Sequence, residues 1–155
     1  MKMPIKAIDC AAYLVEYAKS KGNPISNLQL QKMLFFAQVD YMTSHQGNRL
    51  FDDSIYAWQY GPVIPQVYNA YSCNGGSPIQ SPSIDGQASA VKSAEAQASL
   101  TAVYEKWAYM PAWRLVAESH KPGKAWDRIY NRNGINGSGY GMVIGPNVIM
   151  ESYAG

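Results

Sequence analysis

Ser26-Asn27-Leu28-Gln29-Leu30-Gln31-Lys32-Met33-Leu34-Phe35-Phe36-Ala37-Gln38 is the stretch on which the reading of this chain turns. Ser26 stands before Gln29 at the spacing that lets a serine hydroxyl and a glutamine side chain cap a helix start reciprocally. Leu30, Met33, Leu34, Ala37 and Tyr41 then recur at helical spacing, and Leu28, Phe35, Val39 and Met42 cover much of the remaining surface. A helix that is apolar on most sides must be covered on most sides. The pattern predicts a central, buried helix from Ser26 to about Ser44.

Working outward, Ile8, Ala11, Ala12, Val15 and Ala18 follow the same period, which predicts a first helix over Lys6 to Lys21, ended by Gly22 and Pro24. His45 to Ser54 reads as a polar connection and Ile55 to Trp58 as a short extended piece. Tyr60-Gly61-Pro62 must turn, because Pro62 steers Gly61 away from the right-handed helix region. Val63 to Ser72 reads as a third helix with Val63, Val67, Ala70 and Tyr71 inward. Cys73 to Gln87, rich in Gly, Ser, Pro and Asn, is expected to be a long loop and the least ordered internal segment. Helices follow over Ala88 to Trp107 (contacts through Val91, Ala94, Ala98, Val103 and Trp107), Pro111 to His120, and Ala125 to Arg132. A glycine-rich loop, Asn133 to Gly141, precedes a last helix from Pro146 through Tyr153. Seven helices with almost no strand signal predict an all-α fold, and residues 1–155 read as one domain.

Composition narrows the function. The chain has 155 residues, 47% of them hydrophobic and only 15% charged. Twelve tyrosines and four tryptophans take the place of charge as amphipathic surface. A net charge of +2 without a basic run argues against a nucleic-acid partner. No apolar run approaches the roughly 20 residues of a membrane span. Lys2 and Lys6 stand near the start, but Asp9, Glu16 and Lys19 interrupt any signal-peptide core, so the expected location is the cytoplasm. Cys10 and Cys73 are not spaced as a redox pair and read as free, buried thiols.

No catalytic, cofactor or metal constellation stands out. His45 and His120 fall on different elements, and His120 reads as a cation at a helix C-terminus. Gly137-Ser138-Gly139-Tyr140-Gly141 resembles a phosphate loop only by its glycine count. Asp52 and Asp53 read as solvated carboxylates, and Phe35, Phe36 and Tyr41 as core. Tyr56, Trp58, Tyr60, Tyr68 and Tyr71 gather around the Gly61-Pro62 turn. Some of these rings must be core, and the exposed ones form a candidate partner-binding ridge.

Three blocks together carry a family resemblance: Ile25 to Gln38; Ala57-Trp58-Gln59-Tyr60-Gly61-Pro62-Val63-Ile64-Pro65-Gln66-Val67-Tyr68; and Ser119-His120 through Trp126. Their order and spacing resemble the Panacea domain, also described as the SocA-like or phage-associated GepA-like antitoxin domain. The motif positions are Leu28, Leu30, Gln31, Lys32, Leu34, Trp58, Tyr60, Gly61, Pro62, Val63, Tyr68, His120 and Trp126. The third block departs from the family pattern, with Lys121, Gly123 and Lys124 where an acidic residue is usual. The resemblance implies an antitoxin, phage- or mobile-element-associated, that neutralises a toxin encoded nearby by direct binding, with no catalytic residues. Two alternatives stand beside it: a proteolytic adaptor, whose second partner is a protease, and an uncharacterised phage enzyme.

Overall fold

The computed structural model describes residues 5–154; Met1 to Pro4, Lys2 among them, and Gly155 lie outside the description. The chain runs α1 (Ala7–Ser20), α2 (Asn27–Ser44), β1 (Ile55–Trp58), β2 (Gly61–Val63), α3 (Pro65–Ala70), α4 (Ala94–Trp107), α5 (Ala112–Ser119), α6 (Ala125–Tyr130), β3 (Val143–Ile144) and α7 (Pro146–Tyr153). The structure is mostly helical.

α2 starts as its sequence requires. The Gln29 amide donates to Ser26 Oγ at 3.3 Å, and the Ser26 amide donates to Gln29 Oε1 at 2.9 Å. Leu30, Met33, Leu34, Phe35, Ala37 and Met42 have lost all solvent exposure. α1, α3, α4, α5, α7 and β2 all pack against this helix. α1 has no side-chain cap of its own; Asp53 supplies one from a distance, accepting the Ala7 amide at 2.9 Å. Asp53 is therefore half-buried and structural, whereas Asp52 is exposed and pairs with Arg49.

The all-α expectation needs correction. β1 pairs antiparallel with β2 on one side and β3 on the other, giving the order β2-β1-β3. Strands of two to four residues are too short to print a period on a sequence. Pro62 is tolerated because β2 is an edge strand. Pairing of Val63 with Tyr56 holds Val63 extended, so α3 starts at Pro65 rather than at Val63. Val67 and Tyr71 do point inward, and Ala70 is half-buried.

The fourth helix also starts later than its alanine content suggests. Ser93 accepts the Ala96 amide at 2.9 Å and fixes the start at Ala94, while Ala88–Ala90 forms a separate 3-10 turn. The buried face is accordingly Ala96, Leu100, Val103, Tyr104 and Trp107; Ala94 and Ala98 are exposed. α6 ends at Tyr130, short of Arg132. The segment Cys73 to Gln87 is better anchored than its composition suggests. Ile79 donates to the Ile25 carbonyl at 2.8 Å, Ser83 donates to the Tyr71 hydroxyl at 2.9 Å, and Gln87 donates to Asp9 at 2.8 Å. Both cysteines are free, Cys10 buried as expected and Cys73 exposed. Burial, with Asp9 and Asp53 adding to it, pushes the Cys10 thiol well above its usual range. No described helix is long and apolar enough to cross a membrane.

Leu34→Ala should cost about 2–5 kcal/mol, because it removes a side chain that the surrounding helices enclose. The denaturation midpoint should fall accordingly; an unchanged midpoint would show that the site is not packed.

Candidate functional site

α2 buries four side chains that an apolar core would not ask for: Asn27, Gln31, Lys32 and Gln38. Each bonds the backbone of another segment. Gln38 Nε2 donates to the Phe51 carbonyl at 2.8 Å, and its Oε1 accepts the Leu50 amide at 2.7 Å. Gln31 Oε1 accepts the Ile64 amide at 3.0 Å, and its Nε2 donates to Asn27 Oδ1 at 2.9 Å. Asn27 Nδ2 in turn donates to the Tyr68 carbonyl at 3.1 Å. These amides satisfy backbone groups that would otherwise be buried unpaired, at about 1–3 kcal/mol each. Gln31 and Asn27 fix the hairpin and α3 to α2, and Gln38 fixes the connection that precedes β1.

Lys32 is the fourth. Its side chain is wholly enclosed, and Nζ donates to the Pro62 carbonyl at 2.9 Å. To reach that oxygen, the side chain passes directly over Gly61. A Cβ built on Gly61 would lie 2.7 Å from Lys32 Cε and 2.7 Å from Ser119 Oγ. Gly61 also has φ +117°, a conformation that residues with a Cβ rarely adopt. The Tyr60-Gly61-Pro62 sequence is thus explained by the lysine on the facing helix. Burial with no compensating carboxylate pulls the Lys32 pKa from 10.5 down to about 7.

The hairpin and α3 carry rings around a pocket of about 350 Å³ whose wall includes Leu28, Trp58, Tyr60, Val63 and Tyr68, together with the polar Ser26, Asn27, Gln31, Lys32 and Ser72. Trp58 and Tyr68 meet edge to face with ring centres 5.3 Å apart. Tyr60 is 64% exposed and Tyr68 37% exposed, while Tyr56 and Trp58 are half-buried. Tyr71 departs from the expected ridge: it is a core residue whose hydroxyl holds the Ser83 amide. Of the motif residues, Leu30 and Leu34 belong to the core, whereas Leu28 faces the pocket.

His120 closes the back of the hairpin. It stacks on Trp126 with ring centres 3.7 Å apart, and Trp126 stacks on Tyr130 at 4.4 Å. The Trp126 indole donates to the Trp58 carbonyl at 2.9 Å and so ties α6 to β1. His120 ends α5, where burial and the nearby Lys32 lower its pKa against the pull of Asp127, which disfavours the expected helix-end cation. His120 Nε2 is buried without a hydrogen-bond partner. His45 lies elsewhere, stacked on Tyr41 and 3.3 Å from Glu95. Among the described residues no group of His, Cys, Asp and Glu could hold a metal ion. Ser119 is buried and donates to the Val116 carbonyl at 2.8 Å. The glycine-rich loop uses its amides within the fold: Gly139 donates to the Tyr130 carbonyl at 3.0 Å and Gly141 to Ala57 at 2.7 Å.

Sequence reasoning placed the aromatic residues at this turn but missed the enclosed polar side chains behind them. Their signal was present. Asn27, Gln31 and Gln38 sit in a helix with little face left for solvent, so they needed partners inside the protein.

The model of the family described as "Antitoxin SocA-like, Panacea domain" matches residues 30–127, which spans α2 through the start of α6. A curated relative, "Antitoxin SocA" of Caulobacter vibrioides (strain NA1000 / CB15N), is 33% identical over 151 residues, covering 92% of this chain and 79% of that protein. No solved structure matches.

Gly61→Ala should destabilise the fold by about 1–3 kcal/mol, through its positive φ and the collision with Lys32 and Ser119. Thermal denaturation checks this. A stability equal to wild type would mean that Lys32 does not cross Gly61 as described.

Proposed function

The chain belongs to the SocA-like antitoxin family with its Panacea domain, and from that membership we propose that it neutralises a cognate toxin protein by direct binding. The observation that carries the reading is the assembly of the motif positions Leu28, Lys32, Trp58, Tyr60, Val63 and Tyr68 around one surface pocket. The contact face is the exposed part of the ring cluster, Tyr60 and Tyr68 above all, with the half-buried Trp58 against Tyr68; Tyr56, also expected there, lines a separate cavity with Pro65 and Gln66. Rings held on a hairpin and on α3, both tied to α2 by buried hydrogen bonds, lose little conformational freedom on binding. The cytoplasm and a setting on a phage or other mobile element belong to the same proposal.

The test is co-expression with the neighbouring gene. Wild-type protein should restore growth and co-purify with the neighbour's product. Tyr60→Ala and Tyr68→Ala, combined and shown by circular dichroism to be folded, should weaken the complex by about tenfold or more, as loss of interface anchors does. A folded double variant that binds as tightly as wild type would move the contact face elsewhere. Absence of both rescue and co-purification would refute the pairing.

A further inference from the structure

The pocket beside the hairpin is built where three uncharged stretches of the chain meet. Residues 22–31, 54–84 and 107–113 contain no Asp, Glu, Lys, Arg or His, although the chain carries 13 Lys and Arg and 11 Asp and Glu. Ser26 and Leu28 of the first stretch, Trp58, Tyr68 and Ser72 of the second and Ala112 of the third all stand in the pocket wall. Hydrogen bonds join the stretches: Asn23 Nδ2 donates to the Ala108 carbonyl at 3.2 Å, and Gln31 Oε1 accepts the Ile64 amide at 3.0 Å. Lys32, the charged member of the wall, is wholly enclosed with its Nζ on the Pro62 carbonyl, so it presents no charge to an incoming group. The uncharged polar members are engaged within the fold as well. Ser26 Oγ accepts the Gln29 amide, Ser72 Oγ donates to the Asn69 carbonyl at 2.9 Å, and Asn27 and Gln31 hold Tyr68 and Ile64.

Exposed rings accompany this pocket beyond the hairpin. The α4–α5 connection that brings Ala112 into the wall also carries Tyr109, 72% exposed, and Trp113, 66% exposed, with Met110 between them in sequence. Large apolar side chains exposed together beside an uncharged pocket mark an interaction site, whereas one exposed ring alone would not. We infer that the partner covers this sector with an uncharged, apolar segment, one of whose aliphatic or aromatic side chains fills the pocket against Leu28, Trp58 and Tyr68 while its neighbours lie on Tyr60, Tyr109 and Trp113. The inference rests on the partner-binding reading and extends its contact face to the α4–α5 connection. Charge selects the occupant. An Asp, Glu, Lys or Arg of the partner would be stripped of water here and meet no counter-charge, a cost that nothing in the wall offsets. An apolar side chain gains from the same desolvation. The volume of about 350 Å³ has room for one large side chain.

Two variants at one exposed site, Trp113→Asp and Trp113→Lys, test this in the complex with the neighbouring gene's product, after circular dichroism has shown both to be folded. Each should weaken the complex by about tenfold or more, and by similar factors, because a partner surface without charge favours neither sign. The dissociation rate of the wild-type complex should change by less than about threefold between about 0.05 and 0.5 M NaCl, since no charge pair crosses the contact. Wild-type affinity in either variant, or dissociation accelerated by salt beyond that factor, would overturn the inference and leave the antitoxin reading standing. If no complex forms, the antitoxin reading fails, and small probes decide the chemistry of the sector. N-acetyl-leucine amide, N-acetyl-glutamate amide and N-acetyl-lysine amide are titrated into ¹⁵N-labelled full-length protein while the Trp58 and Trp113 indole signals are followed. The leucine probe should shift them saturably at millimolar concentrations and the charged probes should not. Equal shifts from all three, no saturable shift, or a preference for a charged probe would overturn the inference. So would a dimer of the isolated protein that Trp113→Asp dissociates in sedimentation equilibrium, which would assign the sector to a second copy of this chain.

Discussion

The passage of Lys32 over Gly61 to the Pro62 carbonyl is the contact on which the rest of the hairpin region depends. It brings a helix side chain through the plane of a β-turn, and that works only where the turn residue has no Cβ. The same contact sets where β2 lies, because Pro62 and Val63 follow directly. It also places Ile64 where Gln31 can accept its amide. From there α3 starts at Pro65, and its Tyr68 joins Trp58 at the pocket. One buried amine therefore positions the rings that the surface presents.

The cost is a charge taken out of water. Among the described residues no carboxylate offsets the burial of Lys32, and the amine loses much of its basicity instead. The His120–Trp126–Tyr130 stack supports the opposite side of the same strand through the Trp126 bond to Trp58. His120 contributes a flat ring there, stacked on Trp126.

Legibility in the sequence followed the strength of local signals. The capping box at Ser26 and Gln29 and the apolar run behind it located α2 and its burial, because period and cap agree. The first and last helices, which lack side-chain caps, were legible from their apolar period and from the Gly22 and Pro24 stop and the Pro146 start. α4 was drawn too long, since alanines at positions 88 to 98 favour helix without marking where it starts, and the cap at Ser93 decides that. The sheet escaped because β1, β2 and β3 are short and β3 is distant in sequence from β1. At the site, the aromatic group was visible and Tyr71 was the exception, its burial set by the loop that folds over it. The buried polar clamps were hidden because an apolar helix invites attention to its apolar residues. Their partners are backbone groups, which carry no signature in sequence.

The account stands most directly on the state of one amine. A ¹³C-detected titration of the lysine Cε–Nζ groups, with the Lys32 signal assigned by comparison with Lys32→Met, measures it. The structure predicts a single lysine titrating at about 7, well below the 10.5 of an ordinary lysine. A Lys32 signal that titrates with the surface lysines would show the side chain in water, and neither the crossing of Gly61 nor the pocket floor built from it would then hold.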